Sequence, residues 1–283
     1  MSIRTSLLPD RLDPASDSMT AMVVASPRDR FATALVDALR AAGRQARQVD
    51  VTTAARSFTV TVGDRGSEVS PALPMVIRCP VAPELDDPDE RFLYGECLAA
   101  LWAAASLSAA PVLGRPGAMG FAGACASSAV VTELRGGMFR GRAEVFLNGS
   151  MQYPAGDGWW FRDQANLAVV SAAQHAAYPG PRRGRPVQPD EEYELVAVLH
   201  DQAWRRTEIA LPGTDLAALS VTLARQLGLD FALVVWAVSP QRGLLGLARI
   251  TPWPALDDVG FAWDAIVPAI MRFLWHDHGH RPG

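Results

Sequence analysis

Residues 231–250 read Phe-Ala-Leu-Val-Val-Trp-Ala-Val-Ser-Pro-Gln-Arg-Gly-Leu-Leu-Gly-Leu-Ala-Arg-Ile, and this stretch decides the fold. Two apolar runs, Phe231–Val238 and Leu244–Ile250, flank the turn-forming sequence Ser-Pro-Gln-Arg-Gly. Runs of this length and composition, bounded by proline and glycine, are typical of buried strands. The stretch therefore predicts two neighbouring strands at the centre of the C-terminal part of the chain.

The segments around these strands predict helices. Asp215 to Leu227 has a helical pattern that stops at Gly228, a residue type that often follows a helix C-terminus. On the other side, the Pro252-Trp-Pro254 turn leads to an amphipathic pattern from Phe261 to Leu274. We therefore expect a helix, two strands and a terminal helix in that order.

The first third of the chain alternates between strand and helix patterns. An apolar run at Met22–Ala25 precedes a helix that we expect to begin at Ser26-Pro27 and to end at Gly43. Further on, the patterns predict strands at Arg47–Val51, Pro74–Arg78 and Pro111–Leu113, a hairpin between Phe58 and Val69, and a long helix from Arg91 to Ser108. This alternation predicts an α/β domain with a largely parallel sheet.

The middle of the chain is less regular. We expect strands at Arg142–Leu147, Tyr193–Leu199 and Ala203–Ile209, and a helix from Asp163 to Ala177. Trp159-Trp160-Phe161 is either part of a core or interface or an aromatic platform for stacking a ligand. Arg182, Arg183 and Arg185 lie among prolines and glycines, which favours a solvated loop over an anion site.

All 26 basic side chains are arginines, and no lysine occurs. Chemistry that needs a deprotonated amine is thereby excluded, because a guanidinium does not lose its proton. A composition rich in Ala, Arg, Gly and Pro is typical of proteins encoded by GC-rich bacterial genomes, so we expect a bacterial source. The net charge of −4 argues against nucleic-acid binding.

Three further features bear on compartment. The longest apolar stretch, Cys97 to Leu107, is too short for a membrane span, and no signal sequence is recognisable, so we expect a cytoplasmic protein without a membrane partner. Cys79, Cys97 and Cys125 contain no CxxC pair, which favours buried thiols.

This order of parts resembles the ATP-grasp superfamily, in particular the compact ligases similar to ribosomal-protein glutamate ligases and the peptide-modifying members. The likeness lies in Val-Leu-Gly-Arg-Pro at 112–116, in Leu216–Leu229, and in the paired strands with the Pro252-Trp-Pro254 turn. It implies a pre-ATP-grasp-like α/β domain at 20–116, a shortened central subdomain at 117–213 and an ATP-grasp-like α+β subdomain at 214–283. Residues 1–19 show no periodicity, and we expect them to form a loose leader.

The resemblance also locates where such ligases hold Mg²⁺. The family places an acid on the first strand and Glu-x-Asn on the second, because Mg²⁺ bound to ATP needs hard oxygen ligands. Those positions fall on Val235, Arg249 and Thr251. A shift of one residue would replace the latter two with Ala248 and Ile250. Either assignment implies that no metal site is formed.

Arginines are the candidate anion ligands, since a guanidinium binds phosphate or carboxylate bidentately. We expect Arg205, Arg206 and Arg249 to form the positive wall of a cleft, with Arg142 and Arg140 as further candidates. Trp159 and Trp160 form the candidate platform. The glycines at 117, 120 and 123 are either a phosphate loop or a close-packed helix face.

Two histidine arrangements have simpler explanations. His200-Asp201 resembles an acid–base pair, but sequence neighbours in a turn seldom act as one. His276, His278 and His280 can chelate a transition metal, and in a terminal segment we interpret this as incidental capture. Cys125 has no nearby histidine to activate it, so we interpret it as an inert thiol.

The preferred hypothesis is a degenerate ATP-grasp-like protein that acts by binding, without cofactor, either as a partner subunit or as a holder of a peptide or small anionic metabolite. The alternative is an active ATP-dependent carboxylate–amine ligase that uses ATP and Mg²⁺, with arginines replacing lysines and with Glu144, Asp163 or Asp201 as metal ligands. An enzyme of another class is a third possibility. The apolar helix at 91–108 predicts a homodimer or a complex with another protein.

Overall fold

The computed structural model describes residues 20–64, 66–78, 85–117, 145–147, 159–163, 169–171, 182–186, 190–207, 211 and 213–275. The chain forms two compact units, of which the first comprises Met1–Phe121 with Val267–Gly283 and the second Ala122–Ile266. The division between the two units falls within the terminal helix, at Val267. The expected leader at 1–19 lies outside the described residues.

The first unit is built on a parallel sheet, as the sequence predicted. Its strands have the order β2-β1-β5-β6, and every pair in it is parallel. In chain order the elements are β1 (Ala21–Val24), α1 (Arg30–Ala41), β2 (Ala46–Val49), α2 (Val51–Arg56), the hairpin β3 (Thr59–Gly63) and β4 (Gly66–Ser70), β5 (Met75–Ile77), α3 (Pro88–Leu107) and β6 (Val112–Leu113).

Helix α1 begins later than the sequence suggested, because Asp29 is its N-cap. Asp29 Oδ1 accepts a hydrogen bond from the backbone N of Ala32 at 3.0 Å. The other oxygen, Oδ2, lies 2.6 Å from Nε of the buried Arg78, whose guanidinium stacks 4.1 Å from the Phe31 ring centroid. The Asp29 carboxylate therefore connects the start of α1 to the end of β5. Ser26 and Pro27 are uncharged, so neither can form an ion pair with Arg78.

Helix α2 was not expected, since the strand pattern continued to Val51. Asp50 ends that strand and caps the helix, with its Oδ1 accepting from the backbone N of Thr53 at 2.7 Å. Capping by a carboxylate outweighs the apolar strand pattern here.

The second unit contains two antiparallel sheets. The first has the order β7-β10-β8-β9, with β7 (Val145–Leu147), β8 (Trp159–Asp163), β9 (Val169–Ser171) and β10 (Arg182–Pro186). The prediction of a helix from Asp163 to Ala177 is wrong at Val169–Ser171, which form strand β9. The prediction of a loop at Arg182–Arg185 is wrong as well, since these residues belong to strand β10. Pairing with β8 provides the backbone hydrogen bonds in both cases, so tertiary context overrides the local pattern.

The second sheet of this unit contains the strands that the sequence predicted, except that the strand expected at Ala203–Ile209 ends at Arg205. Its order is β12-β11-β13-β14, formed by β11 (Glu192–Leu199), β12 (Gln202–Arg205), β13 (Phe231–Ser239) and β14 (Gly243–Thr251). Helix α4 (Leu216–Gln226) is capped by Asp215 and followed by Gly228 at φ 66°. The chain continues through α5 (Leu256–Val259), a 3₁₀ turn (Gly260–Ala262) and α6 (Trp263–Trp275).

A buried hydrogen bond joins α4 to this sheet. The Trp236 indole is fully buried on β13, and its Nε1 donates to Ser220 Oγ at 2.8 Å. Ser220 Oγ in turn donates to the carbonyl of Leu216 at 2.6 Å. Even-numbered residues of β13 and β11, such as Val234 and Val196, pack with Trp236 against α4. One face of the sheet is thereby fixed as the core face.

Asp190 fixes the turn between β13 and β14. Its Oδ2 accepts from Ser239 Oγ at 2.7 Å and from Arg242 Nε at 3.0 Å, and Arg242 Nη2 also contacts Oδ1. The hydrogen bond from Ser239, and then that from Arg242, lowers the pKa of the Asp190 carboxyl. Because a lowered pKa stabilises the folded state only while the group is ionised, this contribution is lost as the pH falls through the acid range.

No helix in the described part of the chain is long and apolar enough to cross a membrane.

Replacing Ser220 with alanine tests the buried contact. We expect Ser220→Ala to lower the free energy of unfolding by about 1–3 kcal/mol, because Trp236 Nε1 loses its hydrogen-bond acceptor inside the core. Thr222→Ala is the matched control: Thr222 Oγ1 makes a similar hydroxyl-to-carbonyl bond to Ala218 at 2.8 Å in an exposed position. Urea unfolding measures both, and equal losses in the two variants would contradict the assignment.

Candidate functional site

The pairing of β13 with β14 brings together the three positions at which the resemblance places metal ligands. Val235 is directly opposite Arg249, and Leu233 is opposite Thr251. Since side chains two residues apart on a strand share a face, Val235, Arg249 and Thr251 lie on one face of the sheet. This is the face opposite to that of Trp236.

The one-residue alternative is not compatible with this register. The pairing of β13 with β14 is irregular at this point: Val235 pairs with Arg249 and Trp236 pairs with Leu247, so Ala248 has no partner on β13. Ile250 is 2% exposed and packs in the core formed with α4. Ala248 and Ile250 therefore do not replace Arg249 and Thr251 on the opposite face.

Arg249 is engaged in an ion pair that the sequence analysis did not identify. Its Nη2 lies 3.0 Å from Oδ2 of Asp258 on α5, and the two side chains are 24% and 35% exposed. Ion pairs this close to solvent are weak. A competing anion therefore has to displace only a weakly held carboxylate to reach this guanidinium.

The other two positions also lack a carboxylate. Val235 is buried and aliphatic. Thr251 is buried as well, and its Oγ1 accepts from the backbone N of Trp253 at 3.2 Å. An aliphatic side chain, a permanent cation and one engaged hydroxyl do not fit Mg²⁺, which requires a shell of hard oxygen donors.

The described residues offer no substitute set of metal ligands. Among them no group of three or more His, Cys, Asp or Glu side chains is placed to hold a metal ion. Of the alternative ligands, Asp201 lies exposed in the turn between β11 and β12, Glu144 lies outside the described residues, and only the backbone of Asp163 is described.

Arg205 does not join Arg249. It pairs with Val196 across β11 and β12, which places it on the Trp236 face of the sheet. There Arg205 Nε lies 3.1 Å from Oε1 of Glu194, whose side chain is fully buried. Glu194 also accepts from the backbone N of Thr207 at 3.2 Å and from the Thr207 hydroxyl. The wall of three arginines expected from the sequence is therefore divided between two faces.

The remaining candidates are placed as follows. Arg206 donates its backbone N to the carbonyl of Leu195 at 2.9 Å, and its side chain is exposed without an ion pair to any described residue. His200, at φ 54°, has its Nδ1 3.7 Å from Oδ1 of Asp230, so its acidic neighbour is not Asp201.

Several predicted features cannot be placed. For Trp159 and Trp160 only the backbone is described, within β8, and their platform stays a prediction. Other residues singled out in the sequence lie outside the described residues: Arg140, Arg142, Gly120, Gly123, Cys125, His276, His278 and His280.

No protein-family model and no curated protein matches this sequence. Solved structures do. The ATP-grasp ligase PsnB, in complex with a phosphomimetic variant of its minimal precursor, Mg and ADP, is 16% identical with a TM-score of 0.60, covering 91% of this chain and 99% of its own. The macrocyclase MdnC from Microcystis aeruginosa MRC, bound with precursor peptide MdnA, is 12% identical with a TM-score of 0.60, covering 90% and 99%.

A more distant ligase has the same architecture. D-alanine–D-alanine ligase from Bacillus anthracis is 9% identical with a TM-score of 0.53, and the match covers 90% of this chain and 95% of that one. These likenesses extend over nearly the whole of each chain, so the protein described here has the ATP-grasp fold.

Proposed function

We propose that this protein has kept the ATP-grasp fold as a binding scaffold and does not carry out Mg²⁺–ATP chemistry. In this role it is a partner subunit of a peptide-modifying enzyme, or it holds a peptide or a small anionic metabolite. The observation that carries the proposal is the face formed by Val235, Arg249 and Thr251.

The electrostatics of that face support the proposal. A ligase with this fold needs Mg²⁺ to neutralise the phosphates of ATP, and the ion needs several oxygen donors. A guanidinium is a permanent cation, so Arg249 repels Mg²⁺ and attracts anions. The absence of lysine from the chain removes the other common phosphate ligand.

A peptide is the favoured partner because of what the similar structures hold. PsnB and MdnC were both solved with precursor peptides. A peptide carboxylate or acidic side chain is chemically suited to compete with Asp258 for Arg249. The proposal therefore places an acidic group of the guest beside Arg249.

One observation favours the alternative of an active ligase that uses ATP and Mg²⁺. Arg206 is exposed next to the end of β12, and arginine can hold a phosphate in place of lysine. The metal ligands would then have to come from residues such as Glu144 or Asp163, whose side chains are not described.

Calorimetry with a non-hydrolysable ATP analogue separates the two functions. We expect Mg²⁺ to leave the affinity of the protein for the nucleotide unchanged, because Val235, Arg249 and Thr251 supply no carboxylate for the metal. The triple variant V235D/R249E/T251N restores the donor types of the ligases, and Mg²⁺ should strengthen nucleotide binding there. A tightening of about tenfold or more in the parent, equivalent to about 1.4 kcal/mol, would contradict the proposal.

Helix α3 supports a proposal of association, either with a second copy or with another protein. Four large apolar side chains are exposed on it: Phe92 (71%), Leu93 (48%), Trp102 (40%) and Leu107 (43%). Exposed apolar area concentrated on one element is typical of interaction surfaces.

Light scattering with Phe92→Glu tests this surface. We expect the parent to form a homodimer at micromolar concentration, or to co-purify with a partner from its native host, and Phe92→Glu to abolish that association by placing a charge in the contact. Phe261→Glu, at an apolar residue 38% exposed in the other unit, is the control and should associate like the parent. A parent that is monomeric and recovers no partner would count against the surface.

A further inference from the structure

The first unit contains a basic cleft of its own. A cleft of 540 Å³ opens where the chain passes from the end of α1 into β2. Three of its lining residues are arginines, Arg40, Arg44 and Arg47, and the others are small or neutral: Thr20, Gly43, Gln45 and Ala46.

Arg47 is the informative member of this group. Its Nε and Nη2 are buried, yet neither has a hydrogen-bond partner. A buried donor without an acceptor is destabilising, and more so when it belongs to a charged group. The arrangement is explained if the acceptor is supplied by a ligand.

The other two arginines are held in place by contacts that leave their charge uncompensated. Arg40 Nε donates to the carbonyl of Ala46 at 2.9 Å, and the Arg44 guanidinium lies 5.4 Å from the Trp275 ring centroid. In the described part of the chain none of the three arginines forms an ion pair with a carboxylate. Three guanidiniums around one cleft repel one another unless an anion lies between them.

Helix electrostatics explain only part of this cluster. Arg40 lies in the last turn of α1, where a cation is favoured by the helix dipole. Arg47 is on β2, and its position gains nothing from that dipole. The helix dipole therefore does not explain why Nε and Nη2 of Arg47 are buried without a hydrogen-bond acceptor.

We propose that this cleft binds the diphosphate group of a small molecule. Guanidinium groups bind phosphoryl oxygens bidentately, and a diphosphate carries enough negative charge to balance all three arginines. A single carboxylate would balance one of them. Thr20 is the neighbouring hydroxyl, with its Oγ1 2.9 Å from Gln45 Oε1.

Calorimetry with inorganic pyrophosphate, in low-salt buffer without divalent metal, tests the proposal. Arg47→Gln should weaken binding by about tenfold or more. Arg56→Gln, an equal change of charge at an exposed residue at the end of α2, should bind within about twofold of the parent. Arg47→Gln should weaken binding to the same extent in an Arg249→Gln background, which separates this cleft from the β13–β14 face.

Thermal unfolding distinguishes a ligand site from a structural role. Without ligand, Arg47→Gln should unfold at the same temperature as the parent or a higher one, because it removes a buried charge that has no partner. Pyrophosphate should raise the unfolding temperature of the parent but not that of Arg47→Gln. If Arg47→Gln does not fold, Arg44→Gln takes its place in the calorimetry and in the comparison of unfolding with and without pyrophosphate.

Three results would overturn the proposal. One is a parent that does not bind pyrophosphate. Another is an equal loss of affinity for pyrophosphate in Arg47→Gln and Arg56→Gln, which would show that only the net charge of the protein matters. The third is an effect of Arg47→Gln that disappears in the Arg249→Gln background, which would place the anion on the β13–β14 face.

Discussion

The register between β13 and β14 is the constraint on which the candidate site depends. A slip of one residue would exchange the two faces of a strand, moving Arg249 to the core and Ile250 to the opposite side. Two interactions oppose that slip. Trp236 is fixed on the core face by its hydrogen bond to Ser220, and Asp190 holds the turn through Ser239 and Arg242. Because these contacts fix the register, Val235, Arg249 and Thr251 share a face with no carboxylate among them.

The same alternation of faces gives two arginines of the second unit different roles. Arg205 neutralises Glu194, a fully buried carboxylate, and removing either partner would leave an uncompensated charge near the core. Arg249 is matched to Asp258 near the surface, where an ion pair is weak and exchangeable. We therefore infer that Arg205 stabilises the fold, whereas Arg249 is the arginine available to a ligand.

Much of the fold could be predicted from the sequence, but less of the site. The apolar runs at 231–238 and 244–250 form strands, and the length and composition of these runs were sufficient to predict them. The side of the sheet on which Arg205 lies depends on its pairing with Val196, which no local pattern encodes. Asp258 was missed because its contact with Arg249 depends on how the chain turns after Thr251. Ser26-Pro27 and Asp29 are both suitable helix starts in the local sequence. The contact that distinguishes Asp29 is its ion pair with Arg78, which is distant in sequence. The strand at 169–171 forms through pairing with β8.

We propose that the β13–β14 face does not hold a divalent metal. Anomalous diffraction from crystals grown with Mn²⁺ and a non-hydrolysable ATP analogue tests it most directly, since Mn²⁺ accepts the same oxygen ligands as Mg²⁺. We expect no anomalous peak beside Arg249 and an intact contact between Arg249 and either Asp258 or an anion. A manganese ion coordinated there by protein oxygens would contradict it.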